Sequence, residues 1–215
     1  MNHEQATEAL KKHQSHGDPY FVVYDDFLPY QEFGFLKSYL TEANLPFWTI
    51  SNQINRNDKN NNDFYMATMI YHHENGARNE WTKGIDEQPF INISSKLHMI
   101  SLLRMKANLY VPSMKGPYIH APHVDYDFGH QGALFFVTTC DAPTYMFDGT
   151  PIESIENRLL LFNPGTPHAS SAPTNVPFRI TININYLGQG IHASNFEVLK
   201  NINPVLVGGK PPFRI

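Results

Sequence analysis

Apolar residues along the chain recur first at helical spacing and later at strand spacing. Residues 5–13, QATEALKKH, predict a first helix. GDP then turns the chain into YFVVYDDFL (20–28), a strand rich in β-branched and aromatic residues, and PYQEFGFLKSYLTE (29–42) spaces its apolar residues for a second helix. A third is predicted over 88–98, QPFINISSKLH. Between them, NQINRNDKNNND (52–63) has almost no apolar content; a long polar loop in a compact domain is expected to be a mobile flap that orders over bound substrate.

From residue 99 the texture changes to short strands separated by Pro, Gly and Asn turns. The candidates are ISLLRMKANLYV, HVDY, GALFFVTT, TYMF, PIESI, RLLLF, PHASSA and FRITININYL. In the last, Arg179, Thr181, Asn183 and Asn185 share one face and Ile180, Ile182, Ile184 and Tyr186 the other. RMKANLY repeats the pattern, with Arg104, Lys106, Asn108 and Tyr110 opposite Met105, Ala107, Leu109 and Val111. Two strands of this kind predict a polar cavity inside the roll, with apolar outer faces covered by the N-terminal helices.

The expected architecture is therefore mainly β with N-terminal helices: a double-stranded β-helix, or jelly roll, with helices packed on the outer face of one sheet. Residues 1–215 are expected to form a single domain, with an N-terminal α/β layer (1–98) integral to the fold, a double-stranded β-helix core (99–187) and a C-terminal extension (188–215) ending in an extended arm.

Composition narrows the function classes. With 41% hydrophobic and 17% charged residues the chain reads as a soluble globular protein, and no run of about 18 apolar residues argues for a membrane span or an export signal, so cytoplasm is the expected location. A net charge of -4 with 16 Lys and Arg leaves no basic footprint for nucleic acid, which favours a small-molecule or peptide substrate. The sole cysteine, Cys140, follows an apolar run and is expected to be a buried small hydrophobe.

The chemistry concentrates at HAPHVDYDFGH (120–130). Two His-x-Asp pairs occur; His16-Gly-Asp18 sits in a Gly-Asp-Pro turn and is read as a turn only. His123-Val-Asp125, on an extended segment, aims both side chains at one face, so one strand end can supply an imidazole and a carboxylate to one ion. Downstream, LLLFNPGTPHASSA turns at Asn163-Pro164-Gly165 and presents His168. Two histidines and one carboxylate form the facial set that leaves coordination positions open, as in non-haem Fe(II) oxygenases, whereas a structural zinc site is closed by four ligands. His120, three residues before His123, is expected to point away from the ion; His130 is expected in a loop, Asp127 in solvent, and His72 and His73 at a surface strand end.

His123-x-Asp125, then His168, then Arg179 near the start of the last strand resembles the Fe(II)/2-oxoglutarate-dependent oxygenases, and YFVVYDDFLPYQEF resembles the strand-then-helix start of their prolyl 4-hydroxylase-like branch. The likeness spans roughly residues 19–187. It implies Fe(II) held by His123, Asp125 and His168, 2-oxoglutarate as cosubstrate with its 5-carboxylate on Arg179, dioxygen as co-reactant and compatibility with ascorbate. Tyr110, Asn108 and Thr181 are further candidates for contact with 2-oxoglutarate. Prolyl 4-hydroxylases commonly use Lys where this chain has Arg179, so the resemblance implies a hydroxylase without fixing a prolyl substrate. Two other readings stay open: a cupin-type metal-dependent dioxygenase or isomerase without 2-oxoglutarate, which predicts a further His ligand, and a non-enzymatic jelly-roll binding module.

Overall fold

The computed structural model describes residues 1–42, 48–51, 64–73, 88–97, 99–113, 116–188 and 204–210. The Asn-rich segment 52–63 lies outside them. The elements follow in the order α1 (His3–Lys12), β1 (Tyr20–Tyr24), α2 (Tyr30–Thr41), β2 (Thr49–Ser51), β3 (Tyr65–His72), α3 (Gln88–Lys96), β4 (Met99–Tyr110), β5 (Tyr118–Ile119), β6 (Gln131–Phe136), β7 (Cys140–Tyr145), β8 (Pro151–Ser154), β9 (Arg158–Phe162), β10 (Ser171–Ala172), β11 (Arg179–Gly188) and β12 (Leu206–Gly209).

Eight strands form one antiparallel sheet in the order β12-β1-β9-β6-β11-β4-β3-β2. The facing layer is built from the pairs β7-β8 and β10-β5, joined by an isolated bridge between Tyr145 and Ala169 and extended by another between His123 and His168. This is the double-sheet roll that the strand pattern predicts.

Alternation along each strand decides what fills the two sides of the large sheet. Tyr20, Val22, Tyr24, Ala133, Phe135, Leu159, Leu161, Ile180, Ile182 and Ile184 point outward, where Phe33, Leu36 and Leu40 of α2 and Phe90 and Ile93 of α3 cover them. Phe21, Val23, Leu134, Phe136, Leu160 and Phe162 point inward and meet Met146 and Ile152 of the facing layer. Strands apolar on both faces, YFVVY and RLLLF, therefore read as continuous apolar runs because both faces are buried.

Helix α2 starts at Pro29, where the ring's fixed φ favours the first turn, and exposes Tyr30 and Phe35 on its far side. Helix α1 goes elsewhere. Only Ala6 and Leu10 of it are buried, and they pack on Ile119 and Ala169, so this helix covers the facing layer and not the large sheet. Its start is fixed by reciprocal bonds between Asn2 and Gln5. In the C-terminal stretch Leu206–Gly209 is an edge strand paired with β1, a contribution to the sheet that the expected extended arm did not include. No helix among the described residues is long and apolar enough to cross a membrane. Cys140 is buried and unpaired, as its neighbours predict.

Candidate active site

Inward-facing polar residues of β4 and β11 make one wall of a cavity between the layers. The two strands are in register, Arg179 opposite Tyr110, Thr181 opposite Asn108, Asn183 opposite Lys106 and Asn185 opposite Arg104. The predicted parity of both strands is thus met residue by residue. Tyr65 adds to this wall; Thr144, Ser170, His123, Asp125 and His168 close the opposite side, and Leu134 and Phe162 form the apolar floor. The empty space bounded by these atoms is about 540 Å³, counting solvent at its open mouth.

At one end stand His123, Asp125 and His168, each offering a ligand atom within 4.8 Å of the others; among the described residues they are the group that could hold a metal. Local backbone pairing brings them together. His123 and His168 exchange both backbone hydrogen bonds, N to O, at 3.0 Å each, which sets the two side chains on the same face with ring centroids 4.5 Å apart. Asp125 continues the strip by donating its N–H to Pro164 O at 3.0 Å. The turn that carries His168 is itself docked: Asn163 Nδ2 donates to His16 O and Asp18 O, and Asn163 Oδ1 accepts from Gly165 N. The His16-Gly17-Asp18 turn, a bystander by sequence, therefore anchors the His168 turn. A Cβ on Gly165 would come within 2.8 Å of His16 O, so this contact needs glycine.

Protonation suits a metal. His168 Nδ1 lies 3.0 Å from Thr166 O, an acceptor that fixes the N–H there and leaves the Nε2 lone pair free. Burial, helped by neighbouring His168, pushes His123 down to about 3, so its ring is neutral near pH 7, and its Nδ1 is buried without a hydrogen-bond partner. Burial opposes ionisation of Asp125, but Arg104 and the two histidines outweigh it and hold the carboxyl well below the usual range. Asp125 accepts from Arg104 Nη2 at 2.9 Å on Oδ1, and from Asn185 at 2.8 Å and Asn183 at 3.2 Å on Oδ2. A neutral His123 ring, a His168 ring held through Nδ1, and an ionised carboxylate held by Arg104, Asn183 and Asn185 fit a divalent ion with open positions.

The opposite end belongs to Arg179, 1% exposed. Its Nε donates to Ser154 Oγ at 2.8 Å, Nη2 to Thr144 Oγ1 at 2.7 Å and Nη1 to Ser171 O at 3.4 Å, and its plane lies 5.4 Å from the Tyr110 ring centroid. Every one of these partners is uncharged. Among the described residues no carboxylate pairs with this buried guanidinium, an arrangement that costs several kcal/mol unless an anion joins it.

Other sequence-level candidates fall as follows. Tyr110, Asn108 and Thr181 line the cavity between the two ends; Tyr110 bonds to Ser170, and Asn108 Oδ1 has no partner. His120 stays out of the metal group, bonded through Nδ1 to Ser170 Oγ and stacked on Tyr110. His130 lies in the loop before β6, as expected, but is buried: Nδ1 bonds to Phe128 O, and Nε2 meets the Asn185 amide that also holds Asp125. Asp127 is exposed and His72 ends β3, as expected. Sequence reasoning missed Arg104, Asn183 and Asn185 as the support of Asp125, although strand parity had placed them on the right face. It also missed Thr144 and Ser154 around Arg179, short hydroxyl side chains with no motif to mark them.

No protein-family model matches the chain, and no curated protein matches its sequence. Solved structures do match in fold. The epimerase SnoN from nogalamycin biosynthesis, solved in complex with Fe3+, alpha ketoglutarate and nogalamycin RO, aligns with 97% of this chain and 94% of its own at 10% identity and a TM-score of 0.52. The non-heme alpha ketoglutarate dependent carbocyclase SnoK of the same biosynthesis aligns over 88% and 87% at 13% identity and 0.52. A Pseudomonas putida prolyl-4-hydroxylase aligns over 88% and 100% at 13% identity and 0.49. The chain shares the jelly-roll fold of SnoN and SnoK.

Proposed function

We propose that the protein is an Fe(II)- and 2-oxoglutarate-dependent dioxygenase that oxidises a C–H bond, with hydroxylation as the outcome. One observation carries the reading: a single cavity holds a two-His, one-carboxylate group at one end and, at the other, a buried arginine that has no carboxylate partner among the described residues. His123, Asp125 and His168 hold the iron, and Arg179 holds the far carboxylate of 2-oxoglutarate. Bound there, iron and 2-oxoglutarate activate dioxygen for attack on a C–H bond. SnoN and SnoK are described as alpha ketoglutarate dependent, and SnoN was solved with iron and alpha ketoglutarate, which supports the same pair of cofactors here.

Each side chain has a physical task. The rings of His123 and His168 donate lone pairs, and Asp125 is the negatively charged protein ligand of the ion. Arg104, Asn183 and Asn185 fix the carboxylate's orientation, so little reorganisation accompanies metal binding. Arg179 offers a planar fork already oriented by Ser154 and Thr144. Thr181, Asn108 and Tyr110 supply polar contacts along the cosubstrate, while Leu134 and Phe162 exclude water. The cupin-type reading needs a further histidine ligand and gives Arg179 no task; among the described residues the metal-capable group has three members, and His120 is bonded elsewhere.

Anaerobic titration of the protein with Fe(II) and then 2-oxoglutarate tests the proposal. A weak visible metal-to-ligand charge-transfer band saturating at one iron and one 2-oxoglutarate per chain is expected. Absence of the band at saturating iron overturns it.

A further inference from the structure

The cavity carries more positive charge than iron and 2-oxoglutarate binding uses. Arg104, Lys106 and Arg179 line it against one carboxylate, Asp125. On the reading above, 2-oxoglutarate brings two negative charges and iron two positive ones, so the loaded site keeps an excess of two positive charges.

Lys106 is the unassigned cation. It lies opposite Asn183, and so beside the Asp125 end of the cavity, four register positions from the Arg179–Tyr110 pair and on the same face. Its ammonium has three donors, yet its hydrogen-bond contact is the Tyr65 hydroxyl at 3.5 Å; it sits 5.4 Å from that ring's centroid. Arg104, next along the same face, gives Nη2 to Asp125 and Asn183, while its Nε is buried without a partner. Burial first, then Arg104, lowers Lys106 to about 8, against the pull of Asp125. A half-buried, underbonded cation beside a second one is stabilised when an anion arrives.

We infer that the wall formed by Arg104 and Lys106 is the recognition site for an anionic group, carboxylate or phosphate, on the substrate, so that the enzyme oxidises small acids and not neutral molecules. This inference rests on the proposed function, and it narrows the small-molecule or peptide substrate that overall charge favoured to one matched to local charge. Lys106 supplies the charge; Tyr65 holds the ammonium toward the cavity.

The test uses the anaerobic protein saturated with Fe(II) and 2-oxoglutarate, so that Arg179 is occupied. Propionate, methyl phosphate and the neutral propionamide are titrated by ligand-observed NMR into the parent, Lys106→Met and Lys106→Arg. At least one anion is expected to bind the parent tenfold or more tightly than propionamide. Lys106→Met should lose that preference while its affinity for 2-oxoglutarate stays within about threefold, and Lys106→Arg should keep it. Equal binding of anions and propionamide by the parent overturns the inference, as does a loss of 2-oxoglutarate affinity in Lys106→Met as large as that in Arg179→Met, which would give Lys106 to the cosubstrate. Failure of the parent to bind 2-oxoglutarate instead contradicts the proposed function and is read separately, before any anion is added.

Discussion

Replacing Arg179 by Met should abolish tight 2-oxoglutarate binding while sparing the metal. Methionine keeps apolar length beside Tyr110 and Phe136 but removes the charge and three hydrogen bonds, to Ser154, Thr144 and Ser171. Little is stranded by the change, because Ser154 Oγ also donates to Ala142 O. In the parent, the far carboxylate gains a forked, charge-assisted partner in a buried site, and losing such a partner costs about 2 to 5 kcal/mol. At about 1.4 kcal/mol per tenfold, that is a roughly 30-fold to several-thousand-fold weaker Kd. Thermal unfolding offers a second readout. A ligand at one hundred times its Kd stabilises the native state by about 2.7 kcal/mol, an increment that should shrink to about 0.9 kcal/mol or less in the variant at the same concentration. Ligand-free stability should be unchanged or higher, since a buried unpaired charge has been removed. Unchanged 2-oxoglutarate affinity in Arg179→Met, with the fold intact, would refute the reasoning and favour a metal enzyme that uses no such cosubstrate.

Three further outcomes follow from the same geometry. Asp125→Ala removes the anionic ligand and leaves Arg104 facing two histidines, so iron affinity by competitive chelation should fall at least a hundredfold, and retention of parent affinity would remove Asp125 from the ligand set. Burial, then Arg179, holds His120 down to about 3 against 6.5 when unfolded, so the unfolded chain binds the extra proton between those values; its contribution is full above about pH 6.5 and is lost as pH falls toward 3, with a slope up to about 1.4 kcal/mol per pH unit, and urea denaturation of His120→Phe across pH 4–7 should show a shallower dependence with iron affinity unchanged. Asn163→Ala frees His16 O and Asp18 O and loosens the turn bearing His168, which should cost about 1 to 3 kcal/mol in urea denaturation and weaken iron binding; a variant equal to the parent in both would leave the turn anchored without Asn163.

Strand parity was the most legible signal in the chain. Because a sheet buried on one side by helices and on the other by a second layer needs two distinct faces, the alternation in RITININY and RMKANLY already separated cavity residues from core residues. The i, i+2 spacing of His123 and Asp125 identified a shared face for the same reason. What the sequence did not reveal depends on pairing between distant segments. Ser154 and Thr144 reach Arg179 only because β7 and β8 fold over it, and His130 becomes buried only because Asn185 lies beneath it. The docking of residues 16–18 on the Asn163 turn is likewise a contact across about 145 residues of chain, which no local pattern encodes. Helix α1 illustrates a weak signal: with only Ala6 and Leu10 buried, its amphipathic stripe was too short to say which sheet it covers.

The central claim is that one cavity holds iron and 2-oxoglutarate at opposite ends. Crystals grown anaerobically with Fe(II) and 2-oxoglutarate, measured at the iron absorption edge, test it most directly. One anomalous peak per chain is expected within coordination distance of His123, Asp125 and His168, with density for 2-oxoglutarate running from that peak to a carboxylate paired with Arg179. An anomalous peak elsewhere, or an iron-filled site with Arg179 contacting no carboxylate at saturating 2-oxoglutarate, would contradict it.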